Sequence, residues 1–160
     1  MTFDKCNEAL RENIDESIQN ALELRRLLQE EREALERKDT LSLSDTAIQK
    51  RRCCNRLEEL DKARTDISKS SGFGVNPGEI AKLAARCDDS ALLTQSWDRF
   101  LQVAHECSDM NSGNGAIIRV RQKQIKGAIN LLRDGSTDTD TYGPNGESRE
   151  ESRTRPLAQA

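Results

Sequence analysis

One apolar stripe runs from Leu93 to Leu132 without losing phase, and it constrains this chain more than any other feature. Its members are Leu93, Trp97, Phe100, Ala104, Cys107, Asn111, Asn114, Ile118, Arg121, Ile125, Ala128 and Leu132, spaced alternately four and three residues apart. Such spacing keeps every member on one side of a helix and forms the seam of coiled-coil-like packing, so it predicts one long helix over 90–133. The centre of the stripe argues the other way. Asn111-Ser112-Gly113-Asn114-Gly115 has the composition of a turn, and each Gly costs a helix about 1 kcal/mol relative to Ala. A loop there would have to restore the heptad phase on its far side by coincidence. Phase therefore favours a continuous helix, with a helix-turn-helix broken at Gly113 as the alternative.

The rest of the composition suits long helices and little else. Among 160 residues, 34% are hydrophobic, 3% aromatic and 33% charged. So few apolar side chains cannot build a sandwich or barrel, but they can line narrow stripes on helices with wide solvated faces. The expected fold is all-α, an elongated antiparallel bundle of long helices with coiled-coil-like packing. A net charge of -3 and a pI near 5.4 lack the dominant basic surface that a general nucleic-acid binder needs. Cys6, Cys53, Cys54, Cys87 and Cys107 show no paired metal-ligand spacing, and His105 is the single imidazole. They read as reduced fillers, with no metal or other cofactor expected. The start of the chain has no apolar signal segment, and no stretch approaches the roughly 20 apolar residues that span a bilayer. Membrane insertion is therefore not expected, and the expected compartment is the cytoplasm.

Three further helices precede the long one. Over 3–38, Asn7, Ile14, Ala21, Leu28 and Leu35 recur at heptad spacing, with Leu10, Ser17 and Leu24 between them and no Pro or Gly. Its acidic and basic residues alternate as on a solvated face; Glu30 and Glu31 diverge in direction on a helix and make a poor paired-carboxylate site. Asp39 or Ser42 caps a second helix over 40–70, whose stripe is Ile48, Cys53, Leu57, Leu60, Ala63 or Arg64, and Ile67. The short connection makes these two helices antiparallel neighbours. Lys50-Arg51-Arg52 is followed closely by Glu58, Glu59 and Asp61 and reads as part of a solvated face. The Ser70–Gly78 stretch stops the pattern; without a following Lys-Ser or Lys-Thr it is no phosphate loop. Asn76 as N-cap, Pro77 at the first position and Glu79 in the capping-box position instead start a short helix over 77–87. Residues 1–133 thus form a helical domain. Beyond them, 134–160 is polar and reads as a disordered tail carrying the isolated Tyr142-Gly143-Pro144-Asn145-Gly146 motif.

Three landmarks in this order resemble a known family: the helix from Ala47-Ile48-Gln49-Lys50 to Leu57-Glu58-Glu59-Leu60, the Asn111-x-x-Asn114-Gly115-x-x-Ile118 step, and the Tyr142-Gly143-Pro144-Asn145-Gly146 tail. Between the last two lies Gln124-x-x-x-Ala128-x-x-Leu131-Leu132. The chain resembles the FlgN family of bacterial flagellar export chaperones over nearly its whole length. Ala116 departs from the pattern, standing where members often carry a bulky apolar residue, and the tail after Gly146 is more acidic than the family's. The resemblance implies a cytoplasmic protein that holds hook-junction (hook-associated) proteins, prevents their premature assembly and delivers them to the flagellar type III export gate. It further implies a client surface of Ile118, Ile125, Ala128, Ile129 and Leu132, and export-gate docking through Tyr142.

Physical logic agrees with that role. Unassembled amphipathic segments aggregate unless an apolar stripe is covered, and a helix with an uncovered seam can supply that cover. Asn111 and Asn114 would set helix register, and the small residues beside them, Gly115 among them, would permit bending. Two other classes compete with this one. A homo-oligomeric coiled-coil adaptor or tether would use the same seam for a second copy, and free protein could self-associate to hide it. An enzyme would need a nucleophile, a base and an orienting group together, which His105, Glu106 and Cys107 adjacent on one helix cannot supply. The expectation is no enzyme.

Overall fold

The computed structural model describes residues 3–88 and 90–135. They form four helices, α1 (Phe3–Arg37), α2 (Thr40–Ser70), α3 (Pro77–Cys87) and α4 (Leu92–Gly135), and no strand occurs among the described residues. The chain divides into two units, Met1–Arg121 and Gln122–Ala160, with the division inside α4. From residue 136 the expected tail, including Tyr142, lies outside the described residues. α4 passes through residues 111–115 without a break. Helical phase therefore outweighs the turn-like composition at its centre.

Each junction in the first unit has a local cause. Lys38 takes a positive φ of 58°, and the Asp39 carboxylate accepts from the Ser42 backbone N–H at 3.1 Å and from its hydroxyl at 2.6 Å, starting α2. α2 ends in a Schellman arrangement: the Gly72 N–H donates to Lys69 O and the Phe73 N–H to Ser68 O, both at 3.0 Å. Gly72 holds the left-handed conformation this requires, at φ 81°. α3 starts as its sequence indicates, with Asn76 Oδ1 accepting from the Glu79 N–H at 3.0 Å and Pro77 inside the first turn. The Glu79 side chain, however, reaches past the N-cap and accepts from the Gly74 N–H at 3.4 Å.

α1 is the central helix of this unit. Against α2 it runs antiparallel: Asn13 donates to Leu60 O at 2.8 Å, Arg56 pairs with Glu16 and Lys50 with Glu31, so rising numbers on one meet falling numbers on the other. Against α4 it runs parallel. The Cys107 thiol donates to Ala21 O and the Asn114 amide to Leu28 O, both with an offset of 86 residues. The core follows from this arrangement. Leu10, Ile14, Ile18, Ala21 and Leu28 of α1 pack with Ile80, Leu83 and Ala84 of α3 and with Leu93, Trp97, Phe100, Val103 and Cys107 of α4. α1 also buries a second face, Asn13, Leu27, Glu31 and Ala34, which its heptad stripe does not include. α2 differs from its expected stripe at Ile48, which is exposed, while Thr46 is buried.

A guanidinium joins three helices inside this core. Arg64 of α2 is buried, and its Nη1 donates to Asn13 Oδ1 at 3.0 Å and to Ser17 Oγ at 3.1 Å on α1. Its Nη2 donates to Asp61 Oδ1 at 2.9 Å. The same group lies 4.9 Å from the Trp97 ring centroid and 5.0 Å from that of Phe100 on α4. Planarity lets it donate in its own plane while stacking on rings with its face. Burial pulls Arg64 below its ordinary pKa, and the hydrogen bond and charge of Asp61 oppose that fall.

Arg64→Leu should cost about 2–4 kcal/mol, because it strands buried Asn13 and Ser17 groups, and Arg64→Lys should recover little of it for want of a planar fork. Urea unfolding followed by the fluorescence of Trp97, the chain's single tryptophan, measures both. An unchanged midpoint in both variants would show that the guanidinium is dispensable.

Candidate functional site

The turn-like residues of α4 form the polar centre of the first unit. Asn114 is 1% exposed, although its neighbours in the stripe, Asn111 and Ile118, are exposed and half-buried. Its Nδ2 donates to the Leu28 carbonyl and to Glu31 Oε2, each at 2.8 Å, and its Oδ1 accepts from Arg32 Nε at 2.9 Å. All three partners belong to α1. The Glu31 carboxylate also takes Lys50 Nζ of α2 at 2.9 and 3.0 Å, and the same ammonium donates to Asn111 Oδ1 at 3.1 Å. Asn111 is exposed, so the two asparagines differ in kind: one is the buried hub and the other receives a bond at the rim. Among the described residues no buried side-chain nitrogen or oxygen is left without a partner.

This geometry explains the glycines unevenly. A Cβ on Gly113 would lie 2.9 Å from Arg32 Nη2, so the missing side chain makes room for the arginine that reaches Asn114. Gly115, which the sequence marks for flexibility, meets only the end of Arg119 at 3.4 Å, and the helix is unbroken there. Glu31 has become part of this cluster. Glu30 instead pairs with Arg26 at the surface, so the two carboxylates do not converge.

Of the residues named for the client surface, Ile118 lies in the first unit and is half-buried. The others belong to the second unit, whose described part, residues 122–135, is a single helical segment. There Ile125 is 61% exposed, Ile129 51% and Leu132 75%, and Ala128 is exposed as well. Positions 125, 128, 129 and 132 follow helical spacing and share one face. Leu131, 76% exposed, widens the apolar surface. Folded chains normally cover side chains of this size, and clusters of them left open on one face mark contact surfaces.

The first unit adds a surface where the stripes of three helices meet. α1, α2 and α4 leave an apolar groove of 280 Å³ whose walls include Leu24, Leu28, Leu57, Phe100, Ala104 and Cys107. Its residues come from three separated segments, so only the packed helices reveal it. Among the described residues no group of His, Cys, Asp and Glu is placed to hold a metal ion, and no helix is long and apolar enough to cross a membrane.

These features define an all-α bundle protein with an apolar helix face left open and a polar hub fixing its longest helix. The chain belongs to the FlgN family of flagellar proteins: the family model, described as FlgN protein, matches residues 1–150. It is similar to a solved structure of a flagella synthesis protein FlgN from Pseudomonas aeruginosa, at 27% identity and a TM-score of 0.62, covering 76% of this chain and 93% of that one. No curated protein matches the chain. Its role lies in flagellar assembly, within a family that is not catalytic.

Asn114→Leu keeps the branching of the side chain at Cγ but removes its hydrogen bonds, and should lower stability by about 2–4 kcal/mol in urea unfolding. Gly115→Ala should raise it by about 0.5–1 kcal/mol, since the helix gains propensity and little obstructs the methyl group. A destabilised Gly115→Ala would instead assign Gly115 a structural need for the missing side chain.

Proposed function

We propose that this protein is a cytoplasmic export chaperone that holds hook-junction proteins by the apolar face of the second unit. The observation that carries the reading is the exposure of Ile125, Ile129 and Leu132 on one helical face, together with membership of the FlgN family. Export clients of this kind would have amphipathic terminal segments that are unfolded before assembly and aggregate unless an apolar stripe is covered. A client helix laid along Ile125, Ala128, Ile129 and Leu132 would bury both apolar faces, using anchors at helical spacing. Each large side chain so buried contributes about 1.5–3 kcal/mol.

Ile118, the remaining residue of the expected client surface, belongs to the first unit. Asn114 acts as a register element, because its buried amide, aimed at particular α1 groups, disfavours a shift of α4 along α1, and Asn111 adds a rim bond to Lys50 of α2. Tyr142 is the proposed contact with the membrane-embedded export gate, which separates holding the client from handing it over. None of these steps requires turnover. The complex forms stoichiometrically and ends when the client is passed to the type III apparatus.

The double variant Ile125→Glu, Leu132→Glu should bind a purified hook-junction protein at least about tenfold more weakly by calorimetry, at unchanged helicity. Undiminished binding would remove the second unit from the client surface, and a stable homodimer with no client affinity would favour a tether over a chaperone. Tyr142→Ala should leave client binding intact and reduce secretion of the client from cells. Loss of client binding in that variant would contradict separate holding and docking functions.

A further inference from the structure

The cysteines of this chain are unequal. Cys53 and Cys107 are buried and Cys54 is exposed, but Cys6 and Cys87 meet each other, with the Cys87 thiol donating to Cys6 Sγ at 3.4 Å. A disulfide has an S–S distance near 2.0 Å, so bonding requires closure by only about 1.4 Å. Both sulfurs are held from elsewhere. Asn7 Nδ2 donates to the Cys87 carbonyl at 2.7 Å, which fixes the end of α3 against α1. Cys6 Sγ lies 3.2 Å from Ser71 Oγ at the end of α2, and Arg11 reaches Asp88 at 3.5 Å beside the pair. Three helix ends therefore meet at two thiols.

We propose that Cys6 and Cys87 are a redox modification site, which a low-molecular-weight disulfide such as oxidised glutathione converts to an intrachain disulfide joining the start of α1 to the end of α3. Cys87 is the entry point, because it is half-buried whereas Cys6 is 2% exposed. Its thiol gives its proton to solvent and the thiolate attacks one sulfur of oxidised glutathione. The glutathione S–S bond breaks, a Cys87–glutathione bond forms, and one glutathione thiolate leaves and takes up a proton. Cys6, deprotonated in turn, attacks the Cys87 sulfur and expels the second glutathione. Two protein thiols lose two electrons and two protons, and one glutathione disulfide becomes two thiols. The new bond would clamp α3 to α1, beside the contacts already made by Asn7 and Arg11. Burial and the neighbouring Cys6 push the Cys87 thiol up to about 12, so the first step draws on a small thiolate fraction at neutral pH.

The test uses the full chain carrying Cys54→Ser, which removes the exposed thiol from intermolecular exchange. After incubation with oxidised glutathione and alkylation, the variant should lose two thiols and yield a linked peptide pair containing Cys6 and Cys87. The rate should rise about tenfold per pH unit between pH 7 and 9, following the thiolate fraction. Cys87→Ser in the same background should abolish the link, and a reductant should restore both thiols in the parent. Three results would overturn the assignment: Cys87 arrested as the mixed disulfide with glutathione, a link that involves Cys53 or Cys107, or no loss of thiols across that pH range.

Discussion

The hydrogen bonds of one amide side chain decide how the longest helix is used. Asn114 sits where a parallel helix pair would ordinarily place an apolar residue, and it satisfies a backbone carbonyl, a carboxylate and a guanidinium, all on α1. Shifting α4 along α1 by a turn would break all three and leave Glu31 buried with less than its full set of partners. Such a penalty, of the order of 1–3 kcal/mol for each stranded group, outweighs the few contacts a shifted apolar stripe could regain. The glycine beside the amide has its reason here too, since Arg32 passes where a Gly113 side chain would be.

Above and below that hub the first unit uses two different kinds of glue. Leu93, Trp97, Phe100, Val103 and Cys107 pack into an apolar core with α1 and α3. Arg64 then ties α2 to the same region by donating to α1 and stacking on the α4 rings. In a chain with three phenylalanines and one tryptophan, a charged group that shields two rings on one face does work that a larger hydrophobic core performs elsewhere. The second unit has no such burial among its described residues. Its isoleucines and leucines stay in contact with water, a state whose cost a bound partner would relieve.

Sequence periodicity was most informative where burial follows from apolarity alone. The stripe from Leu93 to Cys107 is buried apart from half-buried Ala104, and the caps at Asp39 and Asn76 are those the residues indicate. It failed where burial depends on a distant partner. Glu31 and Asn13 look like solvated-face residues until Lys50 and Leu60 O are brought to them, and Arg64, an alternative to Ala63 in the α2 stripe, finds its partners in the α4 rings. Ile48 shows the converse, an apolar residue in phase with its stripe that packing leaves exposed while Thr46 is covered. For the candidate site the same limit applies: spacing identifies Ile125, Ala128, Ile129 and Leu132 as one face, but only packing tells whether another helix covers it. Hence that face was legible as a set of residues, whereas its exposure and the hub at Asn114 were not.

If that open face holds a client, binding should alter the second unit selectively. Hydrogen–deuterium exchange of the full chain, read by mass spectrometry with and without a purified hook-junction protein, tests this directly. The account predicts slower exchange in residues 122–135 on adding the client, with α1 and α2 unchanged. Protection confined to α1 and α2, with residues 122–135 exchanging as in the free protein, would contradict it.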